Sequence, residues 1–245
     1  MTQQPTTDQP TPISILIADD QTLIRAGLRA TLESEPGFTV IGEAADGAEA
    51  VEAARRLRPD VTLMDIRMPG LDGVAATRAL LARNPAPCRV LVLTTFHLDD
   101  YVARALRAGA SGFLLKDSTA DQLIEAVKVI AAGDAILAPP VTRRLLERMA
   151  ADPDQPDGQD LRKLLTAREI DVLLLLARGL SNAEITRSLH VAETTVKSHV
   201  QSLLLKLGVR DRLQAAVAAY DSGLVRPRGH RTGDRTGTTP NDGTR

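Results

Sequence analysis

Apolar and polar positions change rhythm twice along this chain. Between residues 13 and 133, short apolar runs alternate with stretches in which apolar residues recur at helical spacing. The runs, at 13–18, 38–43, 61–64, 90–94 and 112–115, predict five strands. The periodic stretches, near 21–34, 47–57, 73–83, 99–108 and 120–132, predict the helices between them. Strand and helix alternating five times imply a parallel sheet, doubly wound by helices on both faces through right-handed crossovers. From residue 161 the strand rhythm is gone. Four helices are expected, near 167–178, 182–189, 193–207 and 211–222, forming a small all-α domain. Thr166 followed by Glu169 reads as a capping box opening the first.

Between and around these units the pattern breaks down. Residues 1–12 are rich in Thr, Gln and Pro and read as a disordered leader. Residues 134–160 read as a linker: Pro139-Pro140 closes the first domain, 141–151 looks helical, and 152–160 is acidic and flexible. Residues 226–245 read as a disordered basic tail. The expected organisation is thus an α/β domain at 13–133 and a helical domain at 161–225.

Composition changes this picture in a few places. Aromatics are scarce, so Leu, Val, Ile and Ala must fill the cores. Charge is uneven: residues 1–138 carry 13 Lys/Arg against 18 Asp/Glu, whereas 225–245 carry 5 against 2. An acidic front and a basic end suggest different partners for the two halves. The single Cys88 excludes an internal disulfide and suits a reducing compartment. The first residues lack a basic and an apolar segment, so no signal peptide is expected. No apolar run approaches the roughly 18 residues of a membrane span, so a cytoplasmic protein without membrane contact is expected. The four histidines lack the spacing of a metal site.

The chemistry collects at the ends of the apolar runs. Asp19 and Asp20 follow the first, Asp65 the third, Thr94 the fourth and Lys116 the fifth. In an open parallel sheet, ligands bind at the carboxyl ends of the strands. Three carboxylates, a hydroxyl and an ammonium gathered there suit a hard cation and a phosphoryl group. Mg²⁺ takes one or two carboxylates, with water and phosphate oxygens completing its shell, so Asp20 and Asp65 are candidate ligands, with Asp19 holding a bound water. Asp65 would be the nucleophile, with Lys116 and Thr94 neutralising and hydrogen-bonding phosphoryl oxygens. Taken singly, each of these residues could as well be a cap or a solvated side chain.

Asp19-Asp20, the run Met64-Asp65-Ile66-Arg67-Met68-Pro69-Gly70, Leu93-Thr94-Thr95 and Gly112-Phe113-Leu114-Leu115-Lys116 together resemble the receiver domain of two-component response regulators. The resemblance implies a flavodoxin-like fold and phosphorylation of Asp65 by a sensor histidine kinase. It also implies Mg²⁺ bound by Asp19, Asp20, Asp65 and the Arg67 backbone carbonyl, and a switch in which Thr94 moves and Phe113 turns inward. Ordinary core packing is the alternative for Phe113.

In the helical domain, the helix at 193–207 places Val196, Val200, Leu203, Leu204 and Leu207 on one face and Thr194, Ser198, Gln201 and Ser202 on the other. Such a helix suits the major groove, though a plain bundle would show the same pattern. Leu165-Thr166-Ala167-Arg168-Glu169, Gly179-Leu180-Ser181-Asn182-Ala183-Glu184-Ile185 and Thr195-Val196-Lys197-Ser198-His199-Val200 resemble the LuxR-type helix-turn-helix. With the receiver, this is similar to the NarL/FixJ class. The resemblance implies double-stranded DNA as partner, with Lys197, Ser198 and Gln201 facing the groove and Thr194, Thr195, Asn182 and Lys206 as backbone contacts. It also implies a homodimer on phosphorylation through the last helix, where Leu213, Val217 and Tyr220 are candidates for either the dimer contact or the core. Ala192 stands where a capping Ser is common, and Leu205 lies outward where a polar or small residue is usual.

The function these features imply is a phosphorylation-dependent DNA-binding regulator of transcription. A regulator indifferent to phosphorylation is one alternative. An aspartyl phosphatase is another, disfavoured because Arg67 stands two residues after Asp65, where such enzymes place an acid.

Overall fold

The computed structural model describes residues 11–82, 88–95, 99–133 and 159–225. The expected leader up to residue 10, the expected helix at 141–151 and the expected tail from residue 226 lie outside them. The first unit runs β1 (Ile13–Ala18), α1 (Thr22–Glu33), β2 (Phe38–Ala44), α2 (Gly47–Leu57), β3 (Val61–Asp65), α3 (Gly73–Ala82), β4 (Arg89–Thr94), α4 (Asp99–Arg107), β5 (Gly112–Leu115) and α5 (Ala120–Ala131). All strand pairs are parallel, in the order β2-β1-β3-β4-β5. The order reverses between β1 and β3, so the crevice beyond their carboxyl ends is the natural ligand position.

Strand alternation divides the core into two layers. Ile15, Ile17, Leu63, Leu91 and Leu93 pack against Leu32 of α1 and Leu123, Val127 and Ile130 of α5. Leu16, Ala18, Met64, Val90 and Val92 face the other way, towards Ala54, Val74, Leu80 and Leu106 of the remaining helices. Asp65 is the last residue of β3, so the acceptor candidate belongs to the strand instead of following it. One glycine fixes its backbone. A Cβ on Gly73 would sit 1.9 Å from the Asp65 carbonyl oxygen, so only glycine lets α3 start this close to the end of β3.

The second unit contains α6 (Gln159–Leu164), α7 (Ala167–Ala177), α8 (Asn182–Leu189), α9 (Glu193–Leu207) and α10 (Arg212–Asp221). Helix α6 departs from expectation: it begins inside the segment read as flexible linker. Capping boxes Thr166/Glu169 and Ser181/Glu184 open α7 and α8. Ala192 gives α9 no side-chain cap, as its identity requires. Val172, Leu173, Leu176, Ile185, Val196, Leu203 and Leu213 are fully buried and make the core.

The two units touch. Helix α10 lies against α4, and Gln214 Nε2 donates to the carbonyls of Leu106 at 3.0 Å and Ala110 at 2.7 Å, at the end of α4. Arg210 donates to the Leu81 carbonyl at 2.6 Å, and Arg107 pairs with Asp221 at 3.2 Å.

Candidate functional site

The sheet brings the five polar residues named from sequence to one edge. Asp19 is fully buried behind β1, Asp65 is buried, and Asp20 is exposed at the mouth. One ligand oxygen from each lies within 4.8 Å of the others. Lys116, just beyond β5, spans the two buried carboxylates, 2.6 Å from Asp19 Oδ2 and 3.0 Å from Asp65 Oδ2. Thr94, buried, ends β4, and its carbonyl accepts from the Lys116 backbone N–H at 2.8 Å, so the two chain segments that carry hydroxyl and ammonium are paired.

Burial sets the electrostatics. It pushes the Asp65 carboxyl above the usual carboxylate range, and the Asp19 charge adds to this. Lys116 and the Arg67 backbone N–H work against that shift. Burial alone would lower the Lys116 ammonium, but bonding to Asp19 and Asp65 outweighs it and raises the group. Two buried acids on one lysine leave a surplus of negative charge. The oxygen-only donor set fits a hard divalent cation, which when bound neutralises carboxylate and phosphoryl oxygens together.

Two neighbours were not visible in the sequence. Arg25 on α1 donates to the Asp19 carbonyl at 2.7 Å and pairs with Glu43 of β2 at 3.2 Å, so it anchors the turn that carries the acidic pair. Tyr101 on α4 has the Arg67 guanidinium 5.9 Å and the Arg104 guanidinium 5.5 Å from its ring centroid. Neither Arg25 nor Tyr101 belongs to a motif, and only the fold shows what they touch. Phe113 is half-buried against the α2–α4 core layer.

On the helical unit, α9 presents Thr194, Thr195, Lys197, Ser198 and Gln201 to solvent. Lys197 makes an exposed pair with Glu193 at 3.1 Å, and the Ser198 hydroxyl donates to the Thr194 carbonyl at 3.0 Å. Asn182 is half-buried at the first position of α8, behind its cap Ser181. Leu205 is 76% exposed, outward as expected. Ser202 and Lys206 are placed elsewhere: both reach the buried Glu169 carboxylate at 2.7 Å, turning Ser202 off the polar face to which its spacing assigned it. Leu213, Val217 and Tyr220 are core residues, and the Tyr220 hydroxyl donates to the Ala177 carbonyl at 3.3 Å.

A parallel five-stranded sheet with acids, hydroxyl and lysine at its carboxyl edge, joined to a helix-turn-helix, defines a response regulator with a DNA-binding output. Comparison with known proteins narrows this. Residues 15–128 match the response regulator receiver domain, and 163–219 match the bacterial regulatory proteins of the luxR family. The chain is 43% identical to the transcriptional regulatory protein DegU of Brevibacillus brevis, covering 88% of this chain and 96% of that one. It is 40% identical to the transcriptional regulatory protein LiaR of Bacillus subtilis, over 87% and 99%. The solved RcsB response regulator of Salmonella typhimurium superposes with a TM-score of 0.50 at 26% identity, covering 85% of this chain and 99% of that one. The chain belongs to the NarL/FixJ class of response regulators, a receiver domain followed by a LuxR-type DNA-binding domain. Among the described residues, no helix is long and apolar enough to cross a membrane.

Proposed function

We propose that this protein is a cytoplasmic, phosphorylation-controlled regulator of transcription whose receiver takes a phosphoryl group on Asp65 from a sensor histidine kinase. The observation that carries this is a buried Asp65–Lys116 pair beside Asp19 and Asp20, on the same chain as an exposed polar face of a helix-turn-helix. An Asp65 carboxylate oxygen attacks phosphorus. A P–O bond forms as the P–N bond to the kinase histidine breaks, and its electron pair returns to the imidazole. Mg²⁺ would be held by Asp20, Asp65 and the Arg67 carbonyl, with Asp19 acting through water. Lys116 and Thr94 receive the phosphoryl oxygens.

The output is double-stranded DNA, read by Lys197, Ser198 and Gln201, with Thr194, Thr195 and Asn182 near the backbone. The names of DegU and LiaR as transcriptional regulators support this reading. Coupling runs through the unit contact. The buried Asp211 that caps α10 is hydrogen-bonded to the Ser111 side chain, immediately before β5, the strand carrying Phe113 and leading to Lys116. A shift at Thr94, Phe113 and Lys116 loosens that contact. Helix α10 is mostly buried in the closed arrangement, so pairing of two copies through it requires the contact to open.

The test measures DNA binding by full-length protein with and without acetyl phosphate and Mg²⁺, mapping bound genomic fragments. Stimulation should occur in the wild type and be absent in Asp65→Asn. Undiminished stimulation of that variant overturns the assignment of Asp65.

A further inference from the structure

Helix α9 carries two lysines with different surroundings. Lys197 and Lys206 are nine positions apart, which at 3.6 residues per turn places them on opposite sides of the helix, about 180° apart. Lys197 is exposed beside Ser198 and Gln201. Lys206 Nζ is 2.7 Å from Glu169 Oε2, and Ser202, one turn earlier, donates from its hydroxyl to Glu169 Oε1 at 2.7 Å. The same carboxylate accepts from the Thr166 backbone N–H at 2.8 Å and the Thr166 hydroxyl at 2.9 Å, completing the cap of α7. The carboxylate is 3% exposed, while the Lys206 side chain that reaches it keeps 36% of its surface in solvent.

We infer that Glu169, Ser202 and Lys206 form a clamp that sets the roll of the recognition helix, and that Lys206 is a positioning residue instead of a phosphate contact. Apolar packing through Val196 and Leu203 holds α9 to the core but is tolerant of small rotations, because dispersion contacts are non-directional. Two polar side chains one turn apart, converging on one fixed carboxylate, are directional. They lock the rotation that aims Lys197 and Gln201 outward. The carboxylate is itself fixed by the α7 cap, so the start of α7 and the recognition helix move as a unit.

This inference rests on the DNA-binding reading, and the experiment separates the two. Full-length protein, activated with beryllofluoride, selects a duplex from a random-sequence pool. That duplex is the probe for affinity over a range of salt. Removing a phosphate contact flattens the slope of log affinity against log salt by about one, and Lys197→Gln serves as that reference. Lys206→Gln and Glu169→Gln should each lower affinity on the order of tenfold, the worth of one charge-assisted hydrogen bond, with the slope unchanged. The double variant should be no worse than either alone, because one unit has been broken. Lys206→Arg should retain most of the affinity. If Glu169→Gln loses its cooperative thermal transition, Ser202→Ala replaces it in the series. A flattened slope for Lys206→Gln, additive losses, or unchanged affinity overturns the clamp. Failure of the wild type to enrich any duplex overturns the DNA-binding reading beneath it.

Discussion

At the scale of single residues, the receiver site concentrates unfavourable burial on a few groups. Asp19, Asp65 and Lys116 are all removed from most solvent, and one ammonium serves two carboxylates. Removing one partner from a buried pair typically costs about 3–5 kcal/mol, because the other charge stays buried. Lys116→Ala should therefore lower the thermal midpoint of metal-free protein markedly. Added Mg²⁺ should recover more stability in this variant than in the wild type, since the cation then meets an uncompensated acidic cluster. Scanning calorimetry with and without Mg²⁺ checks this, and equal metal effects would count against the cluster as a cation site. Gly73 makes a second residue-scale case. A Cβ there meets the main-chain oxygen of Asp65, an atom that cannot swing aside. Gly73→Ala should destabilise by about 1–3 kcal/mol or more and weaken beryllofluoride binding, by displacing Asp65 itself. Urea unfolding and a beryllofluoride titration measure the two effects separately.

At the scale of elements, the pattern of strands and helices was legible because each one shows its own period. Strand ends carry the polar residues, so the site could be read from where apolar runs stop. Helix α6 was missed because six residues with one acid and two bases resemble a solvated linker. The role of Ser202 was misjudged because helical spacing assigns faces by angle and cannot see a buried carboxylate arriving from α7. Glu169 itself was legible as the capping-box partner of Thr166, but its second duty was not. That duty has a pH signature. Bonds from Lys206 and Thr166 hold its pKa at about 2, below the usual 4.5. The folded state therefore binds this proton less readily than the unfolded chain. The stabilisation is present above the unfolded carboxylate range and is lost as pH falls through it towards about 2. Circular dichroism melts at pH 5 and pH 3 should show a smaller acid-induced drop in Glu169→Gln than in wild type. An equal drop would show that other carboxylates govern acid unfolding.

At the scale of the whole molecule, the sequence announced two units but not the face by which they meet. The reason is physical: Gln214 and Arg210 bind main-chain carbonyls of Leu106, Ala110 and Leu81, and a carbonyl has no signature in the residue that bears it. The polar part of the contact is modest, beside an apolar cluster that includes residues of both units. Neutral hydrogen bonds contribute about 1 kcal/mol each, and the half-exposed Arg107–Asp221 pair about 0–1 kcal/mol. A contact of that size suits a switch, because a phosphoryl group at the far end of β5 need supply only a few kcal/mol to open it. Weakening it by mutation should then imitate activation. Gln214→Ala combined with Asp221→Ala, in protein that carries no phosphoryl group, should raise DNA affinity several-fold, as expected if about 1–2 kcal/mol of closure is removed. The same variant should bind beryllofluoride at least as well as the wild type, because linkage makes the effect reciprocal: a receiver relieved of its output partner no longer spends binding energy to open the contact. Fluorescence anisotropy on a selected duplex and a beryllofluoride titration on the same preparation provide both numbers. Unchanged DNA affinity with intact folding would mean that the closed contact does not restrain the output, and that phosphorylation acts through pairing of two copies alone.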